Sequence, residues 1–154
     1  MSRPIDLSAD LSPLPAAGWS NRYIGIPWRR EDRGAEGTHC WGLVRLVYAE
    51  MLDVALDDYG AAHDRAATAA TIAERRALWP WRQVFALCEA RPFDVIVFRE
   101  GRHIDHVGVL VEPRLMLHVS IGHEAVVEDV GGAAFASRVS GIHRHVAQIE
   151  GGDA

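Results

Sequence analysis

A cysteine stands at the start of an apolar pattern typical of a helix, and this placement constrains the fold more than any other feature of the chain. Apolar residues recur at intervals of four, three and four, the spacing of one face of an amphipathic helix: Cys40, Val44, Val47 and Met51. We expect a helix from about residue 39 to residue 52, with the hydroxyl of Thr38 as its N-cap. Gly34 and Gly37 indicate a loop immediately before it.

The position of Cys40 in the first helical turn supports two interpretations. Unpaired backbone N–H groups and the helix dipole favour a negative charge there, so the pKa of the thiol is expected to be lowered. The alternative is a cysteine buried in the core as part of the apolar face, which is common for a free cysteine. The helical pattern alone favours the second interpretation, and the downstream residues decide the matter.

Two apolar segments that each contain a histidine follow later in the chain. Residues 105–111 and 115–119 are predicted to be strands, joined by a tight turn at residues 112–114. If Val111 faces Leu115, then His106 and His118 lie on the same face as diagonal neighbours, roughly 7–8 Å apart at the backbone. One imidazole can then orient the other. A four-residue turn would place the two rings on opposite faces, so the hypothesis depends on the register.

Three motifs in this order resemble the NlpC-type cysteine peptidases, which are papain-like cell-wall hydrolases. The motifs are residues 40–44 (Cys-Trp-Gly-Leu-Val), residues 106–109 (His-Val-Gly-Val) and the strand that contains His118. The resemblance extends from about Trp19 to His145. Trp-Gly-Leu-Val after the cysteine is most similar to the branch found in bacteriophage tails and in phage-derived particles such as gene transfer agents.

The resemblance implies a role for each of four side chains. Cys40 would be the nucleophile, His106 the general base and His118 the residue that orients it. Tyr23 matches an upstream tyrosine near the thiol and is assigned to oxyanion stabilisation or substrate binding. The sequence departs from the family pattern at His39, where the family usually has an aspartate, and at residues 93–94, where Phe-Asp replaces Gly-Asp.

Length and composition limit the remaining possibilities. A chain of 154 residues is long enough for one domain with a substantial core, and we expect an N-terminal arm at 1–17, a single peptidase domain at 18–149 and a loose tail at 150–154. A net charge of −5 argues against nucleic-acid binding. No apolar stretch is long enough for membrane insertion. Residues 1–17 do not resemble a secretory signal.

The order of the predicted elements indicates an α+β protein. Residues 53–90 are expected to be largely helical, with one helix at 61–78 and another from Pro80 to Cys88, whose thiol would be buried in the core. From residue 93 onwards the pattern changes to strands. Helices followed by strands are typical of a helical layer packed on an antiparallel sheet, and the resemblance implies the papain-like version of this fold, with the catalytic cysteine at a helix N-terminus.

The rival chemistry is a zinc site, because His103, His106, His118 and His123 could be ligands beside Cys40. Their spacing matches no standard zinc motif. His103 and His106 also differ in parity, so a regular strand would direct them to opposite faces. We therefore expect neither a metal nor another cofactor.

The resemblance implies a thiol hydrolase that cleaves an amide bond in the stem peptides of peptidoglycan, most often the bond from γ-D-glutamate to diaminopimelate. It further implies a protein made in the cytoplasm and carried on a phage-type tail tip, with tail-hub proteins as partners, acting on the periplasmic cell wall. Two alternatives remain open at this point. One is a catalytically silent tail-hub protein with the same fold, and the other is an amidase or acyltransferase that uses the same three residues.

Overall fold

The computed structural model describes residues 5–7, 18–56 and 81–151, and within these ranges it is an α+β structure. The chain begins with a 3₁₀ helix at Gly18–Tyr23 and then forms helix α1. Six strands and a short helix α2 follow. Their bounds are α1 Cys40–Met51, β1 Trp81–Val84, β2 Val95–Glu100, β3 His103–Glu112, β4 Leu115–His118, β5 Val126–Asp129, β6 Val139–His145 and α2 Val146–Gly151. The predicted α+β class is confirmed.

The six strands form one antiparallel sheet in the order β1-β6-β2-β3-β4-β5. Alternating residues of β2 enter two different hydrophobic clusters, because successive side chains of a strand point to opposite faces. Val95 and Val97 belong to the cluster on one face, and Ile96 and Phe98 belong to the cluster on the other. Strand β2 is therefore buried on both faces of the sheet from Val95 to Phe98.

Helix α1 packs on the face that carries Val95 and Val97. Its residues Val44 and Val47 are almost completely buried in the same cluster as Val107 of β3. This is the apolar face that the spacing of four and three residues predicted. The observed helix, Cys40–Met51, ends within one residue of the predicted bounds.

The N-cap of α1 differs from the prediction. His39 is the N-cap, with extended backbone angles, and its Nδ1 accepts a hydrogen bond from the backbone N–H of Gly42 at 3.1 Å. The hydroxyl of Thr38 instead donates to the carboxylate of Asp32 at 3.0 Å. The assignment of Thr38 was wrong because the helix begins at Cys40, so His39 is the N-cap and Thr38 lies one residue too early in the chain.

The predicted helix from Pro80 to Cys88 is also wrong. Residues Trp81–Val84 form strand β1, which pairs with β6, and Leu87–Glu89 form a single 3₁₀ turn. In this turn Leu87 is buried and Cys88 is exposed, so Cys88 is not the core thiol that we expected. The pairing with β6 overrides the local apolar pattern.

The chain termini are described only in part. The predicted helix at 61–78 lies outside the described residues. Within the arm, Asp6 forms a parallel bridge with Ala86. Helix α2, Val146–Gly151, includes the first two residues of the segment expected to be a loose tail. The proposed domain boundaries at 17 and 149 stay predictions. None of the described helices is long and apolar enough to cross a membrane.

Candidate active site

The thiol of Cys40 lies against the backbone of β3. The pairing of β3 with β4 extends no further than Val109 and Leu117, so β3 is not covered by β4 at Val107. The backbone N–H groups of Val107, Trp41 and Cys40 lie close enough to the Cys40 sulfur to lower the pKa of the thiol. The structure thus places the thiol beside the residue that directly follows His106.

The surroundings of Cys40 oppose ionisation of the thiol. Burial raises the pKa of Cys40 to about 11, and the nearby carboxylate of Asp105 adds to this effect. The three backbone N–H groups lower the pKa without offsetting the desolvation. The predicted lowering of the thiol pKa was therefore wrong, because desolvation of the sulfur outweighs the effect of the N–H groups at the helix N-terminus. The thiol needs a nearby base to accept its proton.

The two histidines meet as the register argument required. Nε2 of His106 and Nδ1 of His118 are 2.8 Å apart. The turn is shorter than expected, since Glu112 faces Leu115, but an extra residue in β3 restores the expected register. Val109 then faces Leu117, which places His118 opposite Gly108 and diagonal to His106. The predicted contact between the rings is confirmed.

A carboxylate contacts the other side of the second ring. Nε2 of His118 lies 3.1 Å from Oε1 of Glu128 on β5. His118 is 3% exposed, whereas the side chain of Glu128 is 45% exposed. Burial lowers the pKa of His118, and the hydrogen bond and the charge of Glu128 act in the opposite direction. Sequence analysis missed Glu128, although its position two residues beyond the partner of His118, Val126, places it on the same face.

Two aromatic rings hold the imidazoles in place. The ring of Phe98 lies 5.7 Å from that of His106, and Phe135 meets His118 edge-on at 5.4 Å. Phe98 and Phe135 also contact one another. This packing limits rotation of both histidines. Phe135 lies in a loop with no periodic pattern, so no signal in the sequence could have identified it.

The carboxylate of Asp105 is neutralised by a specific partner. Its side chain is 1% exposed and accepts two hydrogen bonds from Arg138, at 3.0 and 3.1 Å. Asp105 is also the extra residue of β3 in its pairing with β2, between the partners of Phe98 and Arg99. A buried carboxylate without this pairing would be costly. Arg138 therefore stabilises the strand immediately before His106.

Residues 25–29 connect the loop before Cys40 to the loop after β4. The N–H of Thr38 donates to the carbonyl of Pro27, and the N–H of Trp28 donates to the carbonyl of His123, both at 3.0 Å. The N–H of Ala125 also donates to the carbonyl of Ile26, at 2.8 Å. These bonds fix the position from which α1 begins.

Tyr23 lies away from the thiol. Its hydroxyl donates to Oε1 of Glu50 at 2.8 Å, and burial and this carboxylate raise the pKa of the phenol. Glu50 is ten residues after Cys40 on α1, which corresponds to about 15 Å along the helix axis. The hydroxyl is therefore engaged near the opposite end of the helix. This geometry gives no support to the role at the oxyanion that the resemblance implied.

Of the four histidines of the zinc alternative, His106 and His118 contact each other, and the other two are exposed. His103 is the exposed first residue of β3, and His123 lies exposed in the turn after β4. Among the residues that the structure describes, no group of three or more histidine, cysteine, aspartate or glutamate side chains is arranged to hold a metal ion.

A cysteine at a helix N-terminus, packed on an antiparallel sheet that carries a histidine pair, defines the papain-like class of fold. A sequence profile of the NlpC/P60 family matches residues 25–144, more than three quarters of the chain. The chain therefore belongs to the NlpC/P60 family, whose members are generally cell-wall peptidases or hydrolases. Tyr23 lies just outside the matched residues.

Solved structures of this family share the fold. An NLP/P60 family protein similar to a lipoprotein from Staphylococcus aureus has a TM-score of 0.60 at 19% identity, with 82% of this chain and 38% of that chain covered. NlpC1 from Trichomonas vaginalis has a TM-score of 0.62 at 20% identity, covering 84% and 42%. The chain thus spans about two fifths of the length of these two proteins.

A shorter relative is matched over nearly its whole length. The NlpC/p60 domain of the peptidoglycan hydrolase SagA has a TM-score of 0.55 at 16% identity, with 81% of this chain and 92% of that domain covered. The comparison with curated protein sequences gave no match. At these identities the structural similarity establishes the fold.

Proposed function

We propose that this protein is a cysteine hydrolase that cleaves an amide bond in the stem peptides of peptidoglycan. The observation that carries the proposal is the 2.8 Å contact between His106 of β3 and His118 of β4. The Cys40 thiol lies against the backbone of β3, beside Val107. Membership of a family of cell-wall peptidases and hydrolases supports the choice of substrate. Cys40 is the nucleophile, His106 the general base and His118 the residue that orients His106.

The proton transfer accompanies the nucleophilic attack. The raised pKa of Cys40, caused by burial, keeps the thiol protonated in the resting enzyme. Nδ1 of His106 accepts the thiol proton as the sulfur attacks the amide carbonyl, and the backbone N–H of Cys40 stabilises the oxyanion. The imidazolium then donates this proton to the leaving amine, and a water molecule hydrolyses the thioester. In this mechanism the Cys40 thiol and His106 are both neutral before the attack. The alternative is a thiolate–imidazolium ion pair that forms before the substrate binds.

The substrate is tested with purified peptidoglycan. The wild-type protein is incubated with the cell-wall material and the masses of the released fragments are measured. A new amine and a new carboxyl group within the stem peptide are expected, whereas Cys40→Ala should release nothing above background. The exposed Cys88 supplies a matched control, and Cys88→Ala should retain full activity. Equal losses in both variants, or no release by the wild type, would contradict the proposal.

The substrate assay also distinguishes the alternatives. A catalytically silent tail-hub protein would release no fragment, and an amidase or acyltransferase would act on another amide and leave the stem peptide intact. The hydrogen-bonded contact between His106 and His118 favours an active enzyme, because one imidazole that orients another is the arrangement expected of a general base and its positioning residue.

We further propose that the protein is carried on a phage-type tail tip, bound to tail-hub proteins, after synthesis in the cytoplasm. The support for this proposal is the sequence motif in which Trp41 follows the cysteine. Quantitative mass spectrometry of purified particles from the source cells is the test. The protein should be enriched with tail proteins at a constant ratio, and its absence from the particles would contradict the proposal.

A further inference from the structure

A continuous line of hydrogen-bonding groups runs from β3 through β4 to β5. His106 contacts His118 at 2.8 Å and His118 contacts Glu128 at 3.1 Å, through opposite nitrogens of the His118 ring. We propose that Glu128 is a positioning residue that sets the tautomers of both histidines, and so leaves His106 able to accept the Cys40 proton. This inference rests on the proposed function and adds a fourth residue to the site.

The chemistry of the carboxylate determines which nitrogen of His118 carries the proton. A carboxylate can only accept hydrogen bonds, so the 3.1 Å contact requires the proton of His118 to be on Nε2. A neutral imidazole has one N–H, and Nδ1 of His118 is therefore an acceptor. The 2.8 Å contact then requires His106 to donate from its Nε2. The proton of neutral His106 is accordingly absent from Nδ1, the nitrogen that must receive the thiol proton.

Without the carboxylate, the opposite arrangement satisfies the same contact between the rings. His118 would carry its proton on Nδ1 and donate to Nε2 of His106, whose own proton would then occupy Nδ1. This tautomer of His106 cannot act as a base toward Cys40. The positions of the two rings are compatible with both pairs of tautomers. The contact with Glu128 is compatible only with the pair in which His118 carries its proton on Nε2.

The surroundings of His118 keep the ring neutral, which the argument requires. His118 is 3% exposed, and burial lowers its pKa. The charged or titratable groups that act on the ring are Glu128, which raises its pKa, and His123, which lowers it; His106 is its partner on the other side. Because His118 is neutral, a proton held on its Nε2 by Glu128 leaves its Nδ1 as an acceptor, and His106 must then carry its own proton on Nε2.

The position of Glu128 is set by the sheet and not by a flexible loop. Strand β5 pairs with β4 so that Met116 faces Glu128 and His118 faces Val126. Glu128 is thus a diagonal neighbour of His118, close enough for a long side chain to reach the ring. With 45% of its side chain exposed, Glu128 can be replaced without leaving a cavity in the core.

Two substitutions in the 154-residue chain distinguish the charge of the carboxylate from the hydrogen bond that it accepts. Glu128→Gln keeps a carbonyl oxygen that can still accept from Nε2 of His118, whereas Glu128→Ala removes the acceptor. Glu112→Ala is the matched control, because it removes the same charge about 20 Å along β3 from His106. All three variants are compared with the wild type by thermal unfolding, to confirm that they fold.

Ring-nitrogen NMR of the histidines reports the tautomers directly. Both rings of the wild type should carry the proton on Nε2 at neutral pH, and Glu128→Gln and Glu112→Ala should preserve this state. Glu128→Ala should move a substantial population of both rings to the Nδ1–H form. Hydrolysis of a soluble stem peptide should show a kcat about 10- to 100-fold lower in Glu128→Ala with little change in KM, and Glu128→Gln should recover most of the loss.

The two measurements distinguish failure of this inference from failure of the proposed function. An active enzyme in which Glu128→Ala leaves both tautomers and kcat unchanged would overturn the inference and leave the hydrolase intact. Rings of the wild type with the proton on Nδ1 would overturn it as well. If the tautomers shift as expected but the wild type cleaves no stem peptide, the role of Glu128 stands and the proposed substrate fails.

Discussion

The thiol of Cys40 illustrates how burial and helix position compete at a single residue. The helix N-terminus supplies N–H groups that favour a thiolate, but packing against β3 removes the sulfur from water, and burial raises its pKa to about 11. The effect of the helix N-terminus can be predicted from the sequence, whereas the desolvation of the sulfur cannot. The position of a sulfur relative to a strand more than 60 residues away is a tertiary property.

This competition predicts the reactivity of the thiol. The rate of alkylation of Cys40 by iodoacetamide, measured against pH with Cys88→Ser in the background, should rise with a midpoint above the free value of about 8.5. Below that midpoint the protonated thiol dominates, so the rate should fall about tenfold for each pH unit. A midpoint below the free value, lost on His106→Ala, would instead indicate a preformed ion pair.

Gly108 lies opposite His118, just beyond the last paired residues Val109 and Leu117, and it admits no larger side chain easily. A Cβ atom there would lie 3.2 Å from the carbonyl oxygen of Leu117 and 3.3 Å from Cβ of His118. Gly108→Ala should therefore cost about 1–3 kcal/mol of stability, and it should lower kcat by displacing His118. Urea unfolding and peptide hydrolysis are the measurements. Gly132→Ala, whose Cβ would meet nothing closer than 3.4 Å, should be nearly neutral.

Sequence reasoning could find the histidine pair because both rings lie on adjacent strands joined by a short turn. The period of two residues then determines which side chains share a face. Glu128 was missed because the loop of residues 119–125 separates β4 from β5 and leaves their register open. Phe135 has no regular element around it. The part of the site built by local pairing was predictable, and the part built by longer connections was not.

At the scale of elements, helix α1 depends on an unusual N-cap. Nδ1 of His39 accepts from the N–H of Gly42 at 3.1 Å, a role that serine, asparagine and aspartate fill most often. His39→Ala should destabilise the protein by about 1 kcal/mol, and His39→Asn, which restores a cap acceptor, should not. Urea unfolding followed by circular dichroism is the measurement. His103→Ala provides the control with an exposed histidine, and an equal loss in this control would contradict the assigned cap.

The strand order explains which elements could be predicted. Strands β2, β3, β4 and β5 are neighbours in the sheet in the same order as in the chain, so their hairpins follow from local patterns. Strand β6 instead lies between β1 and β2. The four residues of β1, Trp81–Val84, pair with a segment about 60 residues later, and only that pairing distinguishes them from an apolar helical run.

At the scale of the whole molecule, buried titratable groups connect stability to pH. Burial lowers the pKa of His118 and of His145, so the unfolded chain binds protons at these sites more readily than the folded protein does. Burial raises the pKa of Asp94 despite its ion pair with Arg144, so protonation of this carboxyl favours the folded state. The two effects have opposite signs.

The sign of the pH dependence follows from these directions. Below the ordinary histidine pKa of about 6.5 the unfolded state gains protons at both histidines, so the free energy of unfolding should fall between pH 7.5 and pH 5. The raised pKa of Asp94 acts in the opposite direction, so it should reduce this decline at pH values above the ordinary carboxyl pKa of about 3.9. Urea unfolding across this range is the measurement, and His145→Phe should reduce the slope because it removes one of the two proton-binding sites. A free energy of unfolding that is constant or rises as the pH falls from 7.5 to 5 would show that these histidines are not kept neutral by the fold, and it would remove the neutral His118 on which the tautomer argument depends.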